Sequence, residues 1–268
     1  MGARGRVIDP PDPTTAGELA RLYDLDLSED PGDLDLYLAL ADRADGPILE
    51  LAAGSGRLAV PLAAAGHDVT AVDLDPAMLA RARDRAAAER LPDGRLELVQ
   101  ADLLELSPPD PPRHALAFIA LNSLMLLATR DAQRAALRAL AAHLRPGGLA
   151  AVDAWIPDAD DLARFDGRVF LEWVREDPTS GRLVTKTGSA LHDATSGTLV
   201  LSAIFDEAAQ GEPPRRWVRQ DRLRLIQPDE LAAFAAEAGL RVELIAGGYD
   251  LTPLGPGSDR AILIAERT

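Results

Sequence analysis

The sequence predicts an α/β fold: a doubly wound, seven-stranded, mostly parallel sheet with inserted antiparallel strands. Two observations predict it. From residue 48 to residue 154, short apolar runs alternate with stretches of helical spacing, which is typical of a parallel sheet with helices on both faces. Between residues 168 and 226 the apolar residues instead recur at every second position, as expected for antiparallel strands with one buried face.

Composition limits the classes of function. The chain has 268 residues, 47% of them hydrophobic, which is enough to bury one large core. Its 28 basic and 43 acidic residues give a net charge of −15, so we expect no nucleic-acid and no membrane partner. The absence of cysteine excludes disulfides and thiolate chemistry, and no histidine pair has metal-ligand spacing. No secretory signal or run of the ~20 apolar residues that span a bilayer is visible, so we expect a cytoplasmic protein.

Each element of the alternating region has boundary signals. Pro47 precedes the first apolar run, Gly66 fits the C-terminal cap of the following helix, and Pro76 fits the first turn of the next helix. Pro146-Gly147-Gly148 ends the last helix of the region. In chain order these signals predict helices at residues 16–25, 32–43, 57–65, 77–89 and 131–143, and strands at residues 48–51, 68–72, 96–99, 116–120 and 149–154.

Turn signals define the inserted region. Ser180-Gly181 and Ser196-Gly197 separate apolar sets that predict three or four antiparallel strands. A helix at residues 228–239 and strands at 241–246 and 261–266 then complete the sheet. The predicted organisation is a flexible tail at residues 1–16, an α/β core at residues 17–164 and 227–268, and an insertion at residues 165–226 that forms a lid, a substrate region or a dimer surface.

A glycine turn follows the first predicted strand. Gly54-Ser55-Gly56 lets the backbone pass close to a ligand and leads into a helix N-terminus with free N–H groups. Asp73, 17 residues after Gly56, ends the next strand, where a carboxylate can accept from both hydroxyls of a ribose. The pair predicts an adenosine-type ligand. The same turn fits the G-x-G-x-x-A pattern of nicotinamide enzymes, so two cofactor classes stay open on this motif alone.

Four segments extend the pattern over residues 48–153: Ile48–Arg57, Val69–Leu79, Leu98–Leu103 and Leu140–Gly148. In this order and spacing they resemble the class I S-adenosylmethionine-dependent methyltransferases of small-molecule type. The resemblance implies a Rossmann-like cofactor-binding core, S-adenosylmethionine as cofactor, and methyl transfer to an oxygen or nitrogen atom of a small molecule. One position departs from the family pattern, because Ala52 stands where the family loop has its first glycine.

The resemblance also implies roles for individual residues around the cofactor. Asp73 would accept from the ribose hydroxyls, and Asp102 would accept from the adenine amino group. Glu50 would hold the loop and the amino end of the methionine part. The other cofactor-binding residues that it implies are Ala52, Gly54, Gly56, Arg57 and Leu121 along the methionine part, and Leu74, Met78 and Leu103 against the adenine.

No fixed catalytic motif is expected, because the sulfonium methyl group is already activated and the protein mainly aligns two reactants. Three residues are candidates for catalytic roles at the acceptor side: Tyr23 in an N-terminal helix, Asn122 after the fourth strand, and Tyr249 after the sixth. Each has a structural alternative, namely a packed aromatic, a helix cap and an ordinary loop residue.

Two alternatives for the function stay open from the sequence. The chain could be a nicotinamide-dependent oxidoreductase, or a binding protein that keeps the cofactor site without catalysis. A homodimer through the inserted strands is possible. An arginine cluster near the last inserted strand either forms a solvated face or recognises an acidic group of the substrate; its members are Arg215, Arg216, Arg219, Arg222 and Arg224.

Overall fold

The structure is a computed structural model that describes residues 12–29 and 31–268. Its strands are β1 Ile48–Leu51, β2 Val69–Asp73, β3 Leu96–Gln100, β4 His114–Ile119, β5 Leu144–Trp155, β6 Asp166–Glu176, β7 Leu183–Asp193, β8 Thr198–Ala208, β9 Arg215–Arg224, β10 Leu240–Ala246 and β11 Arg260–Arg267. Its helices are α1 Pro13–Asp26, α2 Leu34–Ala44, α3 Ala59–Ala64, α4 Pro76–Glu89, α5 Arg130–His143, α6 Ala159–Arg164 and α7 Pro228–Glu237. A short 3-10 turn, η1, covers Ser123–Leu126. None of the helices in the described residues is long and apolar enough to cross a membrane.

The core is a seven-stranded sheet with the order β10-β11-β5-β4-β1-β2-β3. Strands β1 to β5 pair in parallel, and β11 runs antiparallel to both of its neighbours. This arrangement confirms the predicted Rossmann-like, doubly wound α/β fold. The strand order reverses between β1 and β4, and ligands of open α/β sheets bind at the carboxyl ends of the strands beside such a switch point.

The insertion forms a separate four-stranded antiparallel meander, β6-β7-β8-β9, which we call the inserted sheet. Side chains of successive residues alternate between its two faces. The inner face carries Val184, Ala190, Phe205 and Leu223, all of which are buried. The outer face carries exposed apolar residues, so within residues 12–29 and 31–268 only one face of the sheet is covered.

The two ends of the inserted sheet pack against different partners. At one end, Ala190, Leu199 and Leu223 join the main apolar cluster of the core together with residues of α5 and α7. At the other end, Val184 and Phe205 form a small cluster with Leu22 and Leu25 of α1. Helix α1 therefore lies between the inserted sheet and the core.

The predicted N-terminal tail is too long by four residues. Residues 1–11 lie outside the described residues, but α1 already begins at Pro13. Pro13 fits the first helical position because a backbone N–H there would have no acceptor within the helix, so proline loses no hydrogen bond. The side chain of Asp12 accepts hydrogen bonds from the backbone N–H groups of Thr14 and Thr15, at 3.1 and 3.2 Å, and so caps the helix. The Pro-rich segment thus includes a helix start.

Candidate active site

The turn after β1 has backbone angles that favour glycine. Gly54 and Gly56 have φ values of +57° and +74°, and Ala52 has +59°. A Cβ atom on Gly56 would lie 3.1 Å from the Cβ of Ala82 on α4, so this glycine allows α4 to pack closely. Ala52 occupies the same left-handed region with a side chain, which costs roughly 1 kcal/mol relative to glycine. The departure from the family pattern is therefore a site of backbone strain.

Asp73 lies at the end of β2 and points back to the glycine turn. Its Oδ2 accepts a hydrogen bond from the Gly54 N–H at 2.7 Å, and its Oδ1 accepts one from the Asp75 N–H at 2.8 Å. A carboxylate offers about four lone-pair positions, so about two stay available to a ligand. Partial burial raises the pKa of Asp73 above its usual value, and the backbone donors oppose this rise.

Residues beside Asp73 form the more open part of the site. The Ala101 N–H donates to the Asp73 carbonyl oxygen at 3.1 Å, which brings the residues after β3 next to the end of β2. Asp102 is half-buried, and its Oδ1 accepts from the Leu104 N–H at 2.8 Å. Leu74 is 65% exposed, and the methyl group of Met78 lies 3.7 Å from the Cβ position of Gly54. The half-buried Leu103 follows Asp102.

Below the turn lies a buried group of charges. Glu50, on β1, is 3% exposed, and burial raises its pKa to about 8 in spite of the nearby Arg57 guanidinium. Arg57 makes a bidentate ion pair with Asp33, with N–O distances of 2.5 and 2.6 Å, and Asp33 is fully buried. The oxygen Oε2 of Glu50 has no hydrogen-bond partner among the described residues. A buried acceptor of this kind is costly unless a ligand satisfies it.

Five of the sequence-predicted site residues line one small cavity, which we call the closed cavity. They are Tyr23, Glu50, Ala52, Arg57 and Leu121, and the remaining lining residues are Ala53, Ser55, Ala120 and Ser123. The closed cavity measures about 20 Å³, which is room for about one water molecule. The structure thus brings α1, the glycine turn and the end of β4 together around one point.

The end of β4 is strained and tied to β5. Leu121 and Asn122 both have positive φ values, +46° and +67°, which are uncommon for these residue types in succession. The Leu121 N–H donates to Oδ2 of Asp153 at 3.2 Å, and Oδ1 of Asn122 accepts from the Trp155 N–H at 2.6 Å. Asn122 thus contacts the backbone of β5 and is not among the residues that line the closed cavity.

Tyr249 also contacts Asp153 rather than the closed cavity. Its hydroxyl group donates to Oδ2 of Asp153 at 2.6 Å, and Arg260 pairs with the other oxygen of the same carboxylate. Burial, with a further contribution from Asp153, raises the pKa of Tyr249 above its usual value. A phenol in this environment holds its proton more firmly, so Tyr249 is a poor general base as placed here.

Tyr23 connects the closed cavity to the inserted sheet. The guanidinium of Arg219, on β9, lies 5.5 Å from the centre of the Tyr23 ring, and it pairs with Asp221 at 2.8 Å. Burial raises the pKa of the Tyr23 hydroxyl. Other members of the arginine cluster are also paired, since Arg216 contacts Asp206 and Arg224 contacts Glu230.

Sequence reasoning missed several residues that shape the site. Asp24 contacts Ser55 of the glycine turn, Asp33 holds Arg57, and Asp153 anchors the turn after β4. Only Asp24 had a sequence signal, because it directly follows Tyr23. Asp33 and Asp153 meet their partners through the tertiary fold, and nothing in the local sequence distinguishes them from other acidic residues.

Comparison with known proteins gives a consistent result. A family model described as a methyltransferase domain matches residues 48–148. The chain is 28% identical over 206 residues to a Streptomyces venezuelae dTDP-3-amino-3,4,6-trideoxy-alpha-D-glucopyranose N,N-dimethyltransferase, covering 75% of this chain and 78% of that protein. It is also 28% identical to a cypemycin N-terminal methyltransferase of a Streptomyces species, covering 82% of each chain. The structure of the CcbJ methyltransferase from Streptomyces caelestis superposes with a TM-score of 0.76 at 26% identity, covering 95% of this chain and 98% of that chain.

The family finding and the geometry lead to the same assignment. The matched segment, residues 48–148, runs from the start of β1 through the glycine turn and Asp73 to β5. This result decides against the nicotinamide-dependent oxidoreductase that the glycine pattern left open. The cofactor is S-adenosylmethionine, and the protein is an S-adenosylmethionine-dependent methyltransferase whose residues 48–148 match a methyltransferase domain.

Proposed function

We propose that this enzyme transfers the methyl group of S-adenosylmethionine to an amine nitrogen of a small molecule. The main support for the cofactor site is the hydrogen bond that the Gly54 N–H donates to the Asp73 carboxylate. The nitrogen acceptor is supported by the two 28% identical relatives, whose names both describe methylation of nitrogen.

The residues around the glycine turn fit this cofactor. In the proposal, the free lone pairs of Asp73 accept from the ribose hydroxyls, and the unpartnered Oε2 of Glu50 receives the ammonium group of the methionine part. Arg57, held by Asp33, presents its remaining N–H groups to the cofactor carboxylate. The backbone of Ala52, Gly54 and Gly56 and the side chain of Leu121 line the methionine part, and Leu74, Met78, Asp102 and Leu103 surround the adenine.

The bound cofactor supplies a methyl group that is already activated for displacement. The protein therefore has to align the acceptor nitrogen with that methyl group and exclude water. In the proposal, Tyr23 covers the reacting end and contacts the acceptor, and its raised pKa keeps the hydroxyl protonated. Asn122 and Tyr249 act through the backbone of β5 and through Asp153, so they position the end of β4 rather than move a proton.

Two measurements test the proposed function. S-adenosylhomocysteine at about 100 times its Kd should stabilise the protein by ~2.7 kcal/mol in thermal unfolding, and NAD(P) should have no effect. A panel of small amines and matched alcohols, assayed with S-adenosylmethionine, should yield methylated amines. Turnover of alcohols alone would contradict the nitrogen acceptor, and cofactor binding without turnover across the panel would favour a non-catalytic binding protein.

We also propose that two copies of the chain pair through the outer face of the inserted sheet. That face presents Val169, Leu171, Val174, Leu191 and Val218, each at least half exposed. An apolar patch of this kind is typical of an interaction surface. Asp206 on the same face is paired with Arg216, which removes one uncompensated negative charge from the neighbourhood of the patch.

The mass in solution tests the dimer. Light scattering should give the mass of two chains for the wild type and of one chain for Leu171→Lys, because the substitution places a charge in the centre of the patch. Leu251→Lys is the matched control, since Leu251 is exposed on the loop after β10. A monomeric wild type would rule out this pairing.

A further inference from the structure

Helix α1 is held to the inserted sheet by a buried apolar contact. Leu22 is fully buried and Leu25 nearly so, and both pack against Val184 and Phe205. Tryptophan side chains of β6 and β9 pack at the edge of the same cluster. This contact removes water from a whole face of α1, so the helix and this end of the sheet behave as one packed unit.

Ion pairs reinforce the same contact. Lys186 lies within 2.6 Å of both Asp26 of α1 and Glu172 of β6, and its side chain is 11% exposed. Arg21 pairs with Asp177 and Glu207, and both of these carboxylates are buried. Breaking one of these contacts would leave a buried charge without a partner, which is strongly unfavourable.

The contact of α1 with the core is of a different kind. Among the described residues, its side-chain hydrogen bonds involve one carboxylate, Asp24, which accepts from the Ser55 hydroxyl of the glycine turn and from Nε of Arg81 on α4. Arg85 approaches the same carboxylate at 3.4 Å. Beside this contact lies a cavity of about 440 Å³ between α1, α4 and the turn after β6. We call the contact of Asp24 with Ser55 and Arg81 the latch.

The position of α1 determines the space at the methionine end of the cofactor site. Tyr23 projects from α1 into the lining of the closed cavity, which measures about 20 Å³. A space of this size holds about one water molecule, so the methionine part of the cofactor needs more room than this arrangement gives. Displacing α1 would enlarge the closed cavity, because Tyr23 of α1 is part of its lining.

We infer that Asp24 is a positioning residue that holds α1 closed over the glycine turn, and that the cofactor enters when this carboxylate releases Ser55 and Arg81. The inference rests on the proposed cofactor site. The inserted sheet is anchored in the core through Ala190, Leu199 and Leu223 at its opposite end. Helix α1 therefore moves together with the far end of that sheet, and the latch is the contact that has to break.

Rapid mixing with S-adenosylhomocysteine tests the latch. Tryptophan fluorescence follows binding, because Trp173 and Trp217 move with α1, whereas Trp155 lies on the core side, where its backbone N–H donates to Asn122 at 2.6 Å. In Asp24→Asn the association rate constant should rise about tenfold, since the closed arrangement loses a charge-assisted contact. Arg81→Gln should raise the association rate constant in the same way, and it provides the test if Asp24→Asn fails to fold. A residue with only a structural role would change the unfolding temperature and leave the association rate unchanged.

Arg83→Gln is the matched control, because it removes the same charge from an exposed position of α4. It should associate at the wild-type rate. If the wild type binds S-adenosylhomocysteine and both latch variants associate no faster, the latch is refuted and the cofactor site stands. If the wild type does not bind S-adenosylhomocysteine, the proposed cofactor site and the latch are both refuted.

Discussion

The two ends of the proposed cofactor site, a ribose end and a methionine end, differ in how they are built. The ribose end consists of Asp73 and backbone N–H groups, and its carboxylate is already aimed at the glycine turn. The methionine end is buried, holds the unpartnered oxygen of Glu50, and is covered by Tyr23 of α1. One end is open and formed by neighbouring strands, whereas the other is closed and depends on contacts between distant parts of the chain. In our proposals, recognition of the nucleoside by Asp73 and control of cofactor access by Asp24 therefore depend on different residues.

The largest effect is expected at the closed end. Asp33→Ala leaves the guanidinium of Arg57 buried without its bidentate partner, so the free energy of unfolding should fall by about 3–5 kcal/mol. Chemical denaturation measures this change. Asp35→Ala, at an exposed position of the same helix, should change it by less than about 0.5 kcal/mol. Equal effects of the two substitutions would contradict the buried pair.

At the open end the expected effect is on binding. Asp73→Ala should weaken the binding of S-adenosylhomocysteine by about 1–3 kcal/mol, because a charge-assisted contact with the ribose is lost. Calorimetric titration gives the affinity directly. Asp84→Ala, at an exposed position of α4, is the control and should bind as the wild type does. An unchanged affinity of Asp73→Ala would remove Asp73 from the site.

The turn between the two ends should respond to release of backbone strain. Ala52→Gly should raise the free energy of unfolding by about 1 kcal/mol, because glycine adopts a φ of +59° without a steric penalty. Ala64→Gly, at an exposed position in α3, should lower it by a similar amount. Thermal unfolding of both variants shows whether Ala52 is strained and Ala64 is not. A loss of stability in Ala52→Gly would contradict the backbone strain at Ala52.

The smallest expected effect is the release of a proton when the cofactor binds. Burial raises the pKa of Glu50 from 4.5 to about 8, so at pH 7 this carboxyl group is mostly protonated in the folded protein. A cofactor ammonium beside it would favour the charged form, so binding at pH 7 should release up to about one proton. Calorimetry in two buffers with different heats of ionisation measures the number. Glu50→Gln should release none, and identical heats in both buffers for the wild type would contradict this assignment.

The raised pKa of Glu50 also makes the free energy of unfolding depend on pH. The pKa of Glu50 is higher in the folded than in the unfolded state, so the folded state binds more protons between pH 4.5 and about 8. The contribution of Glu50 is therefore fully present below pH 4.5 and is lost as the pH rises through about 8. Glu50→Gln should flatten this part of the stability profile.

The sequence predicted residues around the glycine turn at both ends, but it did not predict the tertiary contacts that hold the closed end together. Asp73 and the glycine turn were predictable because each follows directly from a short apolar strand, and β1 and β2 pair in a standard parallel arrangement. The latch was not predictable, because Asp24 and Arg81 are 57 positions apart and meet only after α1 docks. The short helix α6 was missed because it has no buried residues and so no apolar periodicity. Patterns of burial are local in sequence, whereas pairing of buried charges is not.

The place of β11 in the core sheet has a consequence for how the chain folds. This strand lies between β10 and β5. Ile262 pairs with Asp153, although the whole insertion lies between these two residues in the sequence. The meander of β6 to β9 needs only neighbouring strands, so it can form while the chain is still being synthesised. Until β11 emerges from the ribosome, the edge of β5 stays unpaired, and nascent chains are exposed to aggregation at that edge.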